Sequence, residues 1–512
     1  MEQSRTDWAN FGTCVAIIFL VCLPLALAPA SGGEFMQQLY DYIAREFGIL
    51  YLLAGVVCIG FLIWLASSRF GSVKLGADDD TPEFSTLSWT GMLFCAGVGS
   101  GLMYWCSIEW ASYYQAPPFG IAPRSTAAAE WAATYGMYHW GLSAWAFYCL
   151  PTIAIAYPYY VKKLPYLRFS GSCHYFLQGR EHGAISRFID FLFMIALIGG
   201  AASSLGFSSP MIAALLAHLF GVDQTFGLEL FVVLLCVALF ATSVWLGLRN
   251  GIKRLSDLNL VLAFALLLFV LAVGPTLFIL KTSLNSVGLM AQNFLRMSFW
   301  TDPFSDSGFV ESWTIFYWAW WIAFAPYIGL FVTRISRGRT IRQVIVGMLL
   351  FGSLGSWVFY MILGNYSMFL ELQGLADITG IIATQSGEKA IVANLIEMPL
   401  AGLAIAVFAL VSIIFAATTY DSASYTLASV ATLHLQAGDD PARWHRVFWA
   451  LALGLLPATL MFIGGIKVLQ TTLLVVSLPI LLVGVVMSVA LVKSLAADHA
   501  SPAQAEPARP AP

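Results

Sequence analysis

Charged residues are scarce in this sequence. Lysine and arginine number 25 and aspartate and glutamate 28, so that only 10% of the 512 residues carry a charge. Soluble domains contain about 25% charged residues, and this composition therefore excludes an ordinary soluble protein. The formal net charge is −3, which offers no basic surface for phosphates, and we expect no nucleic-acid partner.

Patterns typical of enzymes and metal sites are also lacking. The eight cysteines form no Cys-x-x-Cys pair and no Cys/His spacing suited to a metal, so we interpret them as free thiols. No nucleophile and base occur at a recognisable spacing. We therefore predict neither an enzyme nor an organic cofactor. A channel or a ligand-sensing membrane receptor is an alternative that substrate accumulation against a gradient would distinguish from a carrier.

Apolar residues, in contrast, are abundant: 59% of the chain is hydrophobic and the mean hydropathy is +0.79. A hydrocarbon core about 30 Å thick requires about 20 apolar residues per helix. Such runs recur along the chain and predict an all-α polytopic membrane protein with about 12 spans, at residues 11–30, 47–66, 86–113, 130–160, 186–216, 226–248, 256–280, 313–335, 340–364, 400–433, 446–465 and 469–491. We predict a transmembrane domain over 1–495 and a disordered cytoplasmic tail over 496–512, which is rich in alanine and proline.

Charge placement predicts the orientation of the spans. Lysine and arginine concentrate in the loops after even-numbered spans, as at Lys162, Lys163 and Arg168. The positive-inside rule then places both termini in the cytoplasm of a bacterial inner membrane. Polar residues interrupt the apolar residues of 281–299, which predicts an amphipathic helix along the membrane interface.

The fourth and eighth spans are unusually rich in aromatic residues. At about 100° per residue, Trp140, Trp145 and Tyr148 share one face of the fourth span. A quaternary ammonium has no N–H to donate, but the faces of tryptophan and tyrosine attract it. This pattern favours an aromatic cage. The alternatives are ordinary packing and the tryptophan belts of membrane interfaces.

The eighth span repeats the pattern. Tyr317, Trp321 and Phe324 recur at i, i+4 and i+7, and Trp320 adjoins them. The same span contains Ala325-Pro-Tyr-Ile-Gly329, which we expect to interrupt the helix.

The third span is rich in glycine instead. Gly97, Gly99 and Gly101 alternate with other residues, and each glycine weakens a helix by about 1 kcal/mol. An unwound stretch within a membrane is tolerated where it lines a cavity, and its free N–H groups suit a substrate carboxylate. Close helix packing through small residues is the alternative.

These motifs resemble those of a known family. Three segments are similar to the signature of the betaine/choline/carnitine transporters: Trp313–Trp321, the Arg334-Ile-Ser-Arg337-Gly-Arg339-Thr340 segment after it, and the aromatic residues of the fourth span. The resemblance covers nearly the whole chain. It implies a homotrimer of LeuT-type subunits in the bilayer, in which spans 3–7 and 8–12 form two inverted five-helix repeats.

The resemblance also implies roles for residues. Trp140, Trp145, Tyr148 and Trp321 would enclose a trimethylammonium group, with Trp320 beside the pathway. Phe324 lies where relatives commonly have tryptophan or tyrosine, and we include it among the substrate-binding residues together with the three glycines.

A sodium site is implied in the same way. In sodium symporters of this family, adjacent hydroxyls of the tenth span bind the ion with backbone carbonyls of the third. The matching residues are Thr418, Thr419, Ala96, Val98 and Phe415. Back-bonding of both threonines within their helix is the alternative.

Two rival transport modes remain. Sodium-independent exchangers of the family place an arginine where this chain has Asn259, and its absence favours sodium coupling. Choline carriers tend to place an aspartate in the glycine stretch, where this chain has Ser100 and Gly101. The resemblance therefore favours a zwitterion such as glycine betaine, carnitine or dimethylsulfoniopropionate over choline.

Overall fold

The computed structural model describes residues 5–97, 99–165, 167–180, 183–245, 249–433, 440–463 and 466–499. Nearly all of these residues are helical. The α-helices, in chain order, are α1 Trp8–Leu27, α2 Pro29–Ser67, α3 Thr86–Gly97, α4 Ser100–Gln115, α5 Thr126–His139, α6 Leu142–Ala156, α7 His174–Leu177, α8 Ala184–Phe220, α9 Phe226–Trp245, α10 Arg249–Val273, α11 Thr276–Phe299, α12 Phe316–Ile335, α13 Ile341–Gly347, α14 Ser353–Phe359, α15 Asn365–Leu372, α16 Ile378–Thr384, α17 Gly387–Ile396, α18 Ala401–Val430, α19 Arg443–Ile463 and α20 Ile466–Asp498.

Short irregular elements join several of these helices. Within the described residues, one antiparallel strand pair links β1, Arg5–Thr6, to β2, Thr432–Leu433. The 3₁₀ turns are Arg69–Ser72 and Phe169–Cys173. The π-helical turns are Tyr157–Val161, Val310–Ile315, Met348–Gly352 and Tyr360–Gly364.

The prediction of an all-α polytopic membrane protein is confirmed. Among the described residues, eight helices are long and apolar enough to cross a membrane. The count of about 12 spans is not confirmed, partly because the third and fourth predicted spans are each divided into two shorter helices, α3–α4 and α5–α6. The amphipathic segment predicted at 281–299 is helical and forms most of α11.

The helix interruptions differ from the predicted ones in two places. The third span is interrupted at its glycines, as predicted, between α3 and α4. The fourth span is also interrupted, at Trp140 and Gly141, which the sequence analysis did not anticipate. The interruption expected at Ala325–Gly329 is wrong, because α12 continues through Pro326. A Cβ on Gly329 would lie 3.1 Å from the Thr152 backbone nitrogen, so this glycine allows α12 to pack closely against α6.

Burial separates central helices from peripheral ones. In the most apolar stretch of Val310–Ile335, 83% of residues are buried, against 28% in α1. The outer helices instead expose large apolar side chains, such as Phe19 and Leu20 on α1 and Val57 on α2. Exposed apolar surface of this kind suits contact with lipid tails. The core of the bundle is therefore formed around α12.

The C-terminal helix extends beyond the predicted domain boundary at 495. α20 continues to Asp498, which accepts a hydrogen bond from the Tyr157 hydroxyl at 2.6 Å and pairs with Lys162. Most of the predicted tail, 500–512, lies outside the described residues.

Candidate functional site

A central cavity of about 190 Å³ lies where the two divided spans meet α8, α12 and α18. Aromatic side chains form one part of its wall and small or hydroxyl-bearing residues another. The aromatic part contains Trp140, Tyr148, Trp320, Trp321, Phe324, Tyr327 and Phe331. The small and hydroxyl-bearing part contains Gly99, Gly101, Ser204, Ser256, Thr418, Thr419 and Ser422.

Four of the rings are arranged as a partial box. Trp140 and Trp321 meet nearly perpendicularly, with their ring centroids 4.6 Å apart. Trp320 stacks beside Trp321 at 5.4 Å, and Tyr148 meets Trp321 edge-on at 6.0 Å. All four are almost fully buried. All four rings line one cavity and lie in more than one plane, an arrangement suited to surround a cation without N–H groups.

The break between α5 and α6 fixes one wall of this box. Gly141 departs from helical geometry, with φ −102° and ψ −132°. The carbonyl of His139 then accepts a hydrogen bond from the Trp321 indole N–H at 2.9 Å. A local interruption of the fourth span therefore orients a ring of the eighth.

Trp145 is the predicted cage residue that the structure does not bring to the cavity. Its ring is buried and meets the Tyr148 ring edge-on at 5.6 Å. On its other side it lies against Gly352, where a Cβ would overlap the indole. Trp145 therefore supports a cavity residue from behind.

The glycine stretch reaches the opposite side of the cavity. Ala96 and Gly97 belong to the last turn of α3, Val98 lies outside the described residues, and Gly99 is extended at φ −133° and ψ 178°. α4 begins directly after it, so the N–H groups of Ser100 and Gly101 have no preceding carbonyl within the helix, whereas that of Leu102 donates to the Gly99 carbonyl at 3.0 Å. A Cβ on Gly101 would lie 3.2 Å from Trp320, so the absence of a side chain lets the chain approach the cage.

Thr418 and Thr419 lie together on the cavity wall. Both hydroxyls donate to the carbonyl of Phe415, at 3.0 and 2.9 Å. Three of the five residues predicted to bind sodium are thereby in contact. These hydrogen bonds are also the ones that the back-bonding alternative predicts. Each hydroxyl oxygen keeps lone pairs that a cation can use, whereas the carbonyl already accepts two hydrogens.

Several residues of the cavity were missed by sequence reasoning. Tyr327, Phe331, Ser204, Ser256 and Ser422 line it, although Tyr327 was singled out only as part of the expected helix interruption and Ser422 only as part of the segment after Thr418 and Thr419. The first two lie one and two turns beyond Phe324 on α12, so extending the aromatic repeat past Pro326 would have found them.

A cavity between divided spans of a helical membrane protein is the arrangement typical of transporters of small molecules. The model of the BCCT family, the betaine/carnitine/choline transporters, matches residues 10–500. The chain therefore belongs to this family and is a transporter of the betaine/carnitine type.

Individual relatives agree with this assignment. The chain is 39% identical to the uncharacterized transporter YeaV of Escherichia coli, over 87% of this chain and 92% of the relative. It is 34% identical to a carnitine transporter of Acinetobacter baumannii, over 95% of this chain and 88% of that relative. It is also 34% identical to the glycine betaine transporter OpuD of Bacillus subtilis, over 97% of this chain and 96% of that relative. A solved structure of a Na⁺-coupled sialic acid symporter gives a TM-score of 0.43 at 14% identity, covering 88% of this chain and 82% of that one.

Proposed function

We propose that this protein is a secondary active transporter that carries a quaternary-ammonium or sulfonium zwitterion together with sodium. The observation that carries the proposal is the four-ring arrangement of Trp140, Tyr148, Trp320 and Trp321 around one cavity. A trimethylammonium or dimethylsulfonium group has no hydrogen to donate, and ring faces each contribute about 0.5–2 kcal/mol to its binding. The two relatives named for carnitine and glycine betaine transport fit the same chemistry.

The other end of the substrate is a carboxylate in this proposal. The backbone at Gly99 and Gly101 faces the cavity at the start of α4, and free N–H groups there suit a carboxylate. Choline has no carboxylate and would benefit from an acidic residue in this stretch. Ser100 and Gly101 provide none, so glycine betaine, carnitine and dimethylsulfoniopropionate are the favoured substrates.

Sodium is the proposed coupling ion, and Thr418 and Thr419 its side-chain ligands. Their hydroxyls share the cavity with the cage, and oxygen atoms suit a hard cation. Ala96 and Val98 would contribute backbone carbonyls, and Phe415 would do so when the two threonine hydroxyls turn their hydrogens away from its carbonyl. Alternating access in two inverted five-helix repeats and trimer formation are proposed by analogy with the family. The inner-membrane location with both termini in the cytoplasm is proposed from the placement of lysine and arginine in the loops.

The transport mode is tested by uptake into proteoliposomes. Labelled glycine betaine and carnitine are supplied with an inward sodium gradient, without sodium, and with unlabelled substrate inside. We expect accumulation that requires the sodium gradient. Uptake that does not depend on sodium but requires unlabelled substrate inside would instead establish substrate exchange and overturn the proposed sodium coupling. Labelled choline is supplied in parallel, and its accumulation without that of either zwitterion would overturn the proposed substrate class.

Replacing both threonines tests the ion site. In Thr418→Ala combined with Thr419→Ala, we expect the sodium concentration for half-maximal uptake to rise at least about tenfold, equivalent to about 1.4 kcal/mol, because two oxygen ligands are lost. Thr426→Ala is the matched control: its hydroxyl also back-bonds within α18, to Ser422, but it does not line the cavity. An unchanged sodium dependence in the double variant would remove these threonines from the ion site.

A further inference from the structure

A buried carboxylate lies directly behind the aromatic box. Glu109 of α4 has no exposed surface, and four side chains donate hydrogen bonds to it. The Tyr317 hydroxyl reaches Oε2 at 2.5 Å and the Trp140 indole N–H reaches the same oxygen at 3.2 Å. The Tyr360 hydroxyl also donates to Oε2, and the Tyr113 hydroxyl donates to Oε1.

This surrounding suits a negative charge. A carboxylate only accepts hydrogen bonds and an indole only donates them, so four donors at its two oxygens can compensate an ionised Glu109 without a basic partner. The nearest basic group is His139, whose Nδ1 lies 3.8 Å from Oε1. In the part of the chain that the structure describes, no lysine or arginine forms an ion pair with Glu109. Its charge is therefore compensated by hydrogen bonds and not by a cation of the protein.

The carboxylate is connected to the cage through the edges of two rings. Trp140 forms one wall of the box. Tyr317 stacks on Trp320 and Trp321, with ring centroids 6.2 and 5.6 Å apart. Because aromatic rings carry partial positive charge at their edges and negative charge on their faces, an anion at the edge is complementary to a cation at the face.

We propose that Glu109 is a positioning and specificity-determining residue for the substrate head group. Its carboxylate holds Trp140 and Tyr317 in place by hydrogen bonds. It also supplies a negative charge, one hydrogen bond away from the cage, that favours a cationic head group over a neutral one of equal shape. The inference rests on the proposed function, since it requires a quaternary-ammonium substrate. A purely structural network, which only joins α4, α5, α12 and the π-helical turn at Tyr360, is the competing explanation.

Glu109→Gln separates charge from shape. The amide oxygen can replace Oε2 and accept from Trp140, Tyr317 and Tyr360. The amide nitrogen then donates to the Tyr113 hydroxyl, which in turn can donate to His139 Nδ1, 2.8 Å away. His139 can pass its proton to the other ring nitrogen, which lies 3.1 Å from the Thr314 hydroxyl. The variant therefore keeps the hydrogen bonds and loses the charge.

The test compares two ligands that differ only in charge. Glycine betaine and tert-butylacetate have the same shape and the same carboxylate, but carbon replaces nitrogen in the second. Dissociation constants are measured by intrinsic tryptophan fluorescence on the purified full-length protein. We expect Glu109→Gln to weaken betaine binding roughly tenfold and to change tert-butylacetate binding less than about twofold, because one charge acts across a low-dielectric site.

Two further variants complete the design. Tyr360→Phe removes one donor and keeps the charge, and Glu109→Asp keeps the charge on a shorter side chain. In both we expect the wild-type ratio of the two dissociation constants, within about twofold. The inference would be overturned if Glu109→Gln weakened the binding of both ligands equally, or of neither. It would also be overturned if Glu109→Asp lost the wild-type ratio of the two dissociation constants. Wild-type protein that binds betaine no better than tert-butylacetate would instead overturn the proposed function.

Discussion

Replacing Trp321 or Trp140 by alanine is expected to raise the half-saturation concentration for glycine betaine or carnitine by up to about 30-fold. Each change removes a ring face that contributes up to about 2 kcal/mol to cation binding, and about 1.4 kcal/mol corresponds to tenfold. Trp321→Ala also leaves the His139 carbonyl without its donor, which loosens the break between α5 and α6. The measurement is initial uptake into proteoliposomes, normalised to the amount of inserted protein.

Trp318 provides the matched control for this prediction. It lies on α12 beside the cage residues and is equally buried, but its ring packs against Tyr138 and Phe147 and does not line the cavity. Trp318→Ala should reduce the yield of folded protein without changing the half-saturation concentration. Wild-type half-saturation in either cage variant would exclude that ring from the site. If an alanine variant does not fold, the phenylalanine variants of the same positions should still show a smaller increase.

The aromatic positions of the cavity could be predicted because the signal is local. Trp321, Trp320 and Phe324 belong to one continuous helix, and their spacing on the helical wheel places them on one face. All three line the cavity. The interruption at the glycines between α3 and α4 could likewise be predicted from the sequence, because glycine weakens a helix at its own position.

Trp145 shows where the helical wheel fails. Its predicted direction assumed one uninterrupted helix from Trp140 to Tyr148. The chain departs from helical geometry at Gly141, so Trp140 and the residues of α6 no longer share one helical wheel. Trp145 and Tyr148 both follow this break, and their spacing places them about 60° apart around α6, so that they need not reach the same cavity. Tyr148 and Trp140 both still line the cavity, whereas Trp145 lies behind Tyr148. A single glycine in an aromatic span gives no sequence signal strong enough to place such a break.

The sequence marks Glu109 only as a carboxylate within an apolar span. Its partners lie on α4, α5, α12 and the turn at Tyr360, up to 251 residues away along the chain. No spacing rule connects positions so far apart, and the carboxylate's role depends on donors that only the packed structure brings together.

Alanine at Gly352 is expected to be among the most damaging small substitutions in the chain. A Cβ there would overlap the Trp145 ring, which is fully buried and meets the ring of the cavity residue Tyr148 edge-on at 5.6 Å. Inserting a methyl group into a packed core costs about 1–3 kcal/mol. We expect Gly352→Ala to lower the thermal midpoint of the purified protein and to raise the half-saturation concentration roughly fivefold or more.

A smaller ring at position 145 should relieve the overlap. Trp145→Phe alone removes packing and is expected to destabilise the protein, yet combined with Gly352→Ala it should restore part of the stability and affinity. Such non-additivity is the signature of two residues in direct contact. Gly60→Ala is the control, since nothing lies within 4 Å of its Cβ position on the outer face of α2. Strictly additive losses in the double variant would mean that Gly352 affects the cavity by a route other than Trp145.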